Sequence, residues 1–290
     1  MTATIYKSTD PGAPQFVDND TASNLAILKA VLIDGYGTRT PTGGWTLAFE
    51  DVPSNIACFK ATLAGGPTLQ IKGTGGEQGV KARGFLTMSS ATVGTGQFPT
   101  DLQVAADSYH MPMRSSTSIT TPRDLWWMIV DDDGEYFYFI CNDIGTVPGC
   151  CFFGKMDFSI DAERRWVIGG TTTEVNTSNC DDPLFLDNYF GNFSDRGVAP
   201  GATSGDRLSM KKLDPTIAQP NLVDSRAYFT RRIAETNSPV YYLGTFPGLL
   251  FLAGLNNNIF NGQTFLEIQG QKYLFLDTAI GNTLIAFDNE

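Results

Sequence analysis

The chain has 290 residues, 42% of them hydrophobic and 12% aromatic, enough apolar material to pack one large β domain or two ordinary ones. Its 31 acidic residues outweigh 20 basic ones, giving a formal charge of −11. That balance argues against direct nucleic-acid binding, which needs Lys and Arg to neutralise many phosphates, and the apolar content argues against a disordered chain.

Residues 1–18 contain Pro11, Gly12 and Pro14 and lack a continuous apolar face, so they read as an extended arm that needs a partner to become ordered. The N-terminal stretch MTATIYKSTDPGAPQ has neither the basic start nor the apolar run of a signal peptide. No apolar run approaches the ~20 residues that cross a bilayer as a helix, so no membrane insertion and a cytosolic place of synthesis are expected.

Residues 19–37 read as a helix. Leu25, Leu28 and Leu32 recur at helical spacing, Ile27 and Val31 widen the stripe, Asp20 or Thr21 can cap the start, and Gly35 can follow the last turn. The glycine-rich stretch after it, GYGTRTPTGGW, runs from helix to strand. A phosphate cradle requires strand, glycine loop and then helix, and the Gly-Lys-Ser/Thr ending is also missing. The glycines therefore turn the chain.

Residues 38–170 read as the main β domain. The strand-like segments are WTLAFE, NIACFKATL, TLQIKG, VKARGFLTM, SYHMPM, LWWMIVD, GEYFYFICN, GCCFFGKMDFSI and RWVIGG, separated by turn signals. Asp133-Gly134 in DDDGE marks a hairpin. Asp131 and Asp133 resemble the start of a calcium loop, but Asn142 stands where that loop needs its closing carboxylate. Cys58, Cys141, Cys150, Cys151 and Cys180 show no paired spacing and read as reduced thiols, with Cys150 and Cys151 on opposite sides of one strand.

Residues 171–222 are rich in Gly, Pro, Ser and Asn and read as an irregular insert or linker that reaches toward another chain. Strand patterns return over 223–290, as a second β module or as the closing sheet of the first. The expected fold is mostly β: a β-sandwich or barrel body with one N-terminal helix, a long irregular insert, and one β module or two.

Chemistry is sparsely represented. The single histidine, His110, lies in DSYHMPM without a nucleophile-elbow sequence, and one histidine without paired cysteines is a poor zinc ligand set. The acid pairs Asp161 with Glu163 and Asp181 with Asp182, and the run Asp131 to Asp133, are the groups that could flank a sugar as a glycosidase does. The aromatics Trp126, Trp127, Tyr136, Phe137, Tyr138 and Phe139 alternate across two strands, one face as core and the other as an interface or a sugar platform. No catalytic, cofactor-binding or metal-ligating residue is assigned, and no cofactor is expected.

Several segments resemble virion structural proteins of tailed bacteriophages: IYKSTDPGAP, VLIDGYGT followed by GGWTLAFED, GQFPTDLQV, LWWMIVDDDGEYFYF, FFGKMDF and GQKYLFLDT. The resemblance is spread over most of the chain but omits 171–222. It implies a non-enzymatic, homo-oligomeric component of the neck, collar or tail region, assembled in the host cytoplasm and in contact with other virion proteins. A carbohydrate- or receptor-binding decoration of capsid or tail is the alternative, followed by a glycoside hydrolase.

Overall fold

The strand Leu125–Asp131 reads LWWMIVD, apolar toward both of its faces, and such a run is stable in a sheet only when both faces are covered. The computed structural model describes residues 2–17, 22–73, 80–98, 125–142, 149–158, 164–171, 184–185, 207–211, 225–226, 228–232, 241–242, 244–251, 264–268, 270–278 and 281–290. Among these the architecture is mostly β, with a single α-helix.

The strands of the body are, in chain order, β1 (Ala3–Lys7), β2 (Trp45–Asp51), β3 (Ile56–Ala61), β4 (Thr68–Gly73), β5 (Val80–Ser90), β6 (Val93–Phe98), β7 (Leu125–Asp131), β8 (Tyr136–Asn142), β9 (Gly149–Phe158) and β10 (Arg164–Thr171). β2 to β6 form an antiparallel meander. The main sheet runs β1-β7-β8-β9-β10, extended by Leu184–Phe185 on β10 and by Gly244–Thr245 on β9.

The core lies between the meander and one face of the main sheet, with the helix packed into it. Phe59, Leu69 and Ile71 of the meander, Met128, Val130 and Phe137 of the main sheet, and Leu28 and Val31 of the helical segment belong to one buried cluster. Aromatic contacts join the layers: Trp45 lies 5.4 Å from Phe137 and 5.9 Å from Phe153, and Phe98 stacks on Phe153 at 6.2 Å. This is a sandwich-like body.

The opposite face of the main sheet is buried as well. Ile129, Tyr138 and Phe152 are covered there, where Phe246 meets Phe152 at 4.7 Å and the Tyr138 hydroxyl donates to the Pro247 carbonyl at 2.8 Å. That segment leads into Leu249–Phe251 of a C-terminal antiparallel sheet, ordered Ser225–Arg226, Leu249–Phe251, Gly281–Phe287, Gln271–Thr278, Thr264–Ile268. Residues after 223 therefore build a sheet of their own and also add Gly244–Thr245 to the main one.

Three expectations need correction. Of the arm expected over 1–18, the described residues 2–17 do not await a partner: β1 pairs antiparallel with β7 from Ala3↔Asp131 to Lys7↔Trp127. Its far edge is bonded by the end of the chain, with Ile5 N–H donating to Asn289 O at 3.0 Å and Asp288 N–H to Ala3 O at 2.8 Å. The five residues ATIYK bury Ile5 toward one face and Tyr6 toward the other, a period-two signal too short to stand out beside the prolines.

The helix expected over 19–37 is shorter. An α-helix, α1 (Ala22–Lys29), passes into a π-turn, Ala30–Asp34, closed when Gly35 N–H donates to Ala30 O at 2.8 Å with Gly35 at φ +78°. Tyr36 and Arg39 then exchange backbone bonds around Gly37-Thr38 as a small hairpin. The capping candidates Asp20 and Thr21 lie outside the described residues.

The insert 171–222 is not irregular throughout. Leu184–Phe185 pairs with β10, and Arg207–Lys211 pairs with Tyr228–Arg232.

Candidate functional site

Two polar clusters stand out against this apolar frame, one at the N-terminal turn and one at the tip of the β7–β8 hairpin.

The first begins with Asp10-Pro11-Gly12, a turn sequence that doubles the chain back after β1. Gly12 and Gly37 touch backbone to backbone, and a Cβ on Gly37 would lie 2.0 Å from the Pro11 carbonyl. The two turns thereby bring Asp10 beneath Tyr36 and Arg39. Asp10 Oδ2 accepts from the Tyr36 hydroxyl at 2.9 Å and from Lys7 N–H at 3.2 Å, and lies 3.5 Å from Arg39 Nε.

Arg39 also donates to the Ile5 carbonyl and lies with its guanidinium 4.7 Å from the centre of the Tyr6 ring, while the Tyr6 hydroxyl donates to Thr40 O at 2.9 Å. Burial pushes the Tyr6 phenol up to about 12, against the opposing pull of Arg39. Burial first, then the hydrogen bond to Asp10, raises Tyr36 as well. Both phenols remain protonated donors at neutral pH and unsuited to act as bases there. The cluster ties β1, the Pro11-Gly12 turn and the Tyr36–Arg39 hairpin into one unit.

The second cluster is the acidic tip. Gly134 N–H donates to Asp131 O at 3.0 Å, and Gly134 takes φ +76°, so the turn begins at Asp131, two residues before the Asp133-Gly134 pair read as its centre. Asp131 is 1% exposed, its carboxyl accepting from Glu135 N–H through Oδ2 at 3.0 Å. Its Oδ1 finds no hydrogen-bond partner among the described residues. Burial raises the carboxyl above its ordinary range, with the charges of Glu135 and Asp133 adding to the effect and turn amides opposing it. No group of three or more metal-ligating side chains is found among the described residues.

The glycine-rich stretch that follows α1 serves these tips. A Cβ on Gly44 would lie 2.3 Å from Gly134 Cα, so the Gly43-Gly44 loop and the acidic turn pack backbone against backbone. Thr62 N–H also donates to Gly44 O at 3.0 Å.

Trp126, Trp127, Tyr136, Phe137, Tyr138 and Phe139 are all buried, on one face or the other of the main sheet. None of the six is displayed as a sugar platform. His110, Asp161, Glu163, Asp181 and Asp182 lie outside the described residues, and the structure brings Asp131 to Asp133 together only as a turn. Cys58 and Cys151 are buried, and burial pushes the Cys58 thiol up to about 12.

Reading by motif missed Asp10, Tyr36 and Arg39. The signals were the Pro-Gly turn after Asp10 and the Gly37-Thr38 pair between Tyr36 and Arg39, each of which fixes a hairpin without announcing what it faces. Comparison with family models, with curated proteins and with solved structures finds no match.

Proposed function

We propose that this chain is a structural component of a tailed-phage particle, homo-oligomeric and working by occupying a position in the neck, collar or tail region. The observation that supports this reading is the use made of ionisable groups in the described residues. Asp10 binds Tyr36 and Arg39, Asp131 closes its own hairpin, Asp288 Oδ2 accepts from Ala3 N–H at 2.9 Å, and Lys7 pairs with Glu290 at 2.6 Å. Asp131 fixes a turn, and the others hold one segment of chain to another. A body braced in this way resists local opening, as a load-bearing subunit must.

Burial of the six paired-strand aromatics leaves the carbohydrate-binding alternative dependent on other residues. The test is to raise an antibody against the purified chain and apply it to purified tailed-phage particles whose genome encodes the chain, alongside quantitative mass spectrometry of the same particles. The chain is expected at a fixed copy number that fits the particle's symmetry. Its absence from infectious particles, or polysaccharide hydrolysis by the purified chain, would overturn the reading.

A further inference from the structure

The tip Asp131–Glu135 places a buried carboxyl where only amides of its own turn support its charge. One oxygen accepts the Glu135 amide and the other is sealed from solvent with no hydrogen-bond partner among the described residues. A carboxylate buried in this state is costly, and protonation is the simplest way to remove the charge.

The charged and titratable groups around it are mostly of the same sign. Asp132, Asp133 and Glu135 belong to its own turn. Lys155 of β9 lies 3.5 Å from Glu135 and is engaged with it, and Asp288 accepts from Ala3, the residue opposite Asp131 on β1. The Gly43-Gly44 loop brings no titratable side chain. Three parts of the molecule meet at this point: β1, through Asp132 N–H donating to Thr2 O at 2.9 Å and the Thr4 hydroxyl donating to Asp132 Oδ1 at 2.9 Å; the Gly44 loop; and β9, through Lys155 N–H donating to Glu135 O at 2.9 Å.

We propose that this tip is a proton-operated latch, in which protonated Asp131 keeps the turn closed against β1 and the Gly44 loop and loss of the proton loosens it. Burial and the like charges of Glu135 and Asp133 raise the carboxyl in the folded chain against the turn amides that favour its ionised form, in keeping with the sealed, unpaired Oδ1, and this sets the sign. The latch's stabilisation is complete below the pKa of an unfolded aspartate, ~3.9, and is lost as pH rises through the folded value. This is opposite to the usual carboxylate contribution, which is lost as pH falls.

The test is amide hydrogen exchange on the full chain across a pH series, with each rate corrected for its intrinsic pH dependence. Local opening measured at the Asp132 and Glu135 amides should increase with pH, by up to about tenfold per pH unit for a single linked proton, and level off once Asp131 is ionised in the folded chain. The Leu69 amide of β4, held within the meander between β3 and β5, should not follow.

In Asp131→Asn, which keeps an acceptor for Glu135 and removes the titration, the same amides should show no such rise. Asp133→Asn, at an exposed position, supplies a variant that retains Asp131 even if Asp131→Asn fails to fold, and should move the rise to lower pH. Opening that is flat with pH in the wild-type chain, the same slope in Asp131→Asn, or an unmoved transition in Asp133→Asn would each overturn the proposal.

Discussion

The β7–β8 pair and the β5–β6 hairpin are the same element in opposite surroundings. Trp126 to Val130 and Tyr136 to Ile140 are buried on both faces, between the meander core and the segment around Phe246. Beyond Phe85 the other hairpin leaves Leu86 48% and Val93 57% exposed. It is anchored by polar contacts, with Gln70 Nε2 donating to Ala91 O at 2.6 Å and Thr87 bonded to Thr95 at 2.7 Å. Antiparallel sheets commonly keep one wet face, so the first pair owes its position to being covered twice and the second to being held at its tip. Stability should concentrate in the first, and local opening in the second.

The largest test is a pair of truncations. Phe137→Ala removes a fully buried ring that touches Trp45 and lies 6.0 Å from Phe153, and it should destabilise the chain by about 3–5 kcal/mol in urea unfolding. Leu86→Ala on the exposed hairpin should stay within about 0.5 kcal/mol. Comparable losses in the two variants would break the contrast.

Glycine substitutions come next, because they ask whether the double cover extends to the hairpin tip. Gly134→Ala places a methyl group 2.3 Å from the Gly44 carbonyl oxygen at a positive φ, and should cost about 2–4 kcal/mol. Gly43→Ala meets nothing within 4 Å, and should be neutral or stabilising by up to about 1 kcal/mol. Thermal unfolding of the two variants reads the difference directly. Equal effects would mean that the Gly44–Gly134 contact does not constrain the turn.

The N-terminal segment sharpens the comparison, since it was expected to be loose and is bonded on both edges. Tyr36→Phe removes the donor to Asp10 while leaving the ring against Trp126 at 6.1 Å, and should cost about 1–2 kcal/mol. Limited proteolysis should spare residues 3–17 in the wild-type chain and cut there faster in the variant. Rapid cleavage of the wild-type segment would restore the reading of an arm.

The sequence made the body legible wherever one strand carried enough residues to show its period. LWWMIVD and YFYFICN announce buried strands by their unbroken apolar content, and Gly35 marks the end of a helical stretch. The ATIYK strand escaped because five residues give little more than two alternations and their partners lie more than a hundred positions away. The Asp10–Tyr36–Arg39 cluster escaped for a related reason: its members come from two tight turns that meet through tertiary contacts, among them the packing of Gly12 on Gly37. Aromatic alternation showed that β8 has two faces, but whether the second was covered depended on Phe246 and Pro247, far along the chain.

The smallest expected effect concerns how the exposed hairpin stays attached. Its tip folds back over the meander, where the register shifts between Met88 and Ser90, and Ala91 O is met by Gln70 Nε2 at 2.6 Å and by Cys58 Sγ at 3.6 Å. The thiol is a weak donor, so the amide is the principal tether. Gln70→Ala removes it at a half-buried site and should cost only about 0.5–1 kcal/mol globally. Its local consequence is larger: amides of β5 and β6 beyond Phe85 should exchange about tenfold faster while those of β7 and β8 keep their protection, since apolar cover on two faces does not depend on that bond. If β7 and β8 lost protection to the same degree, the hairpin and the main sheet would open as one cooperative unit, and the distinction between a strand held by burial and a strand held by its tip would fail.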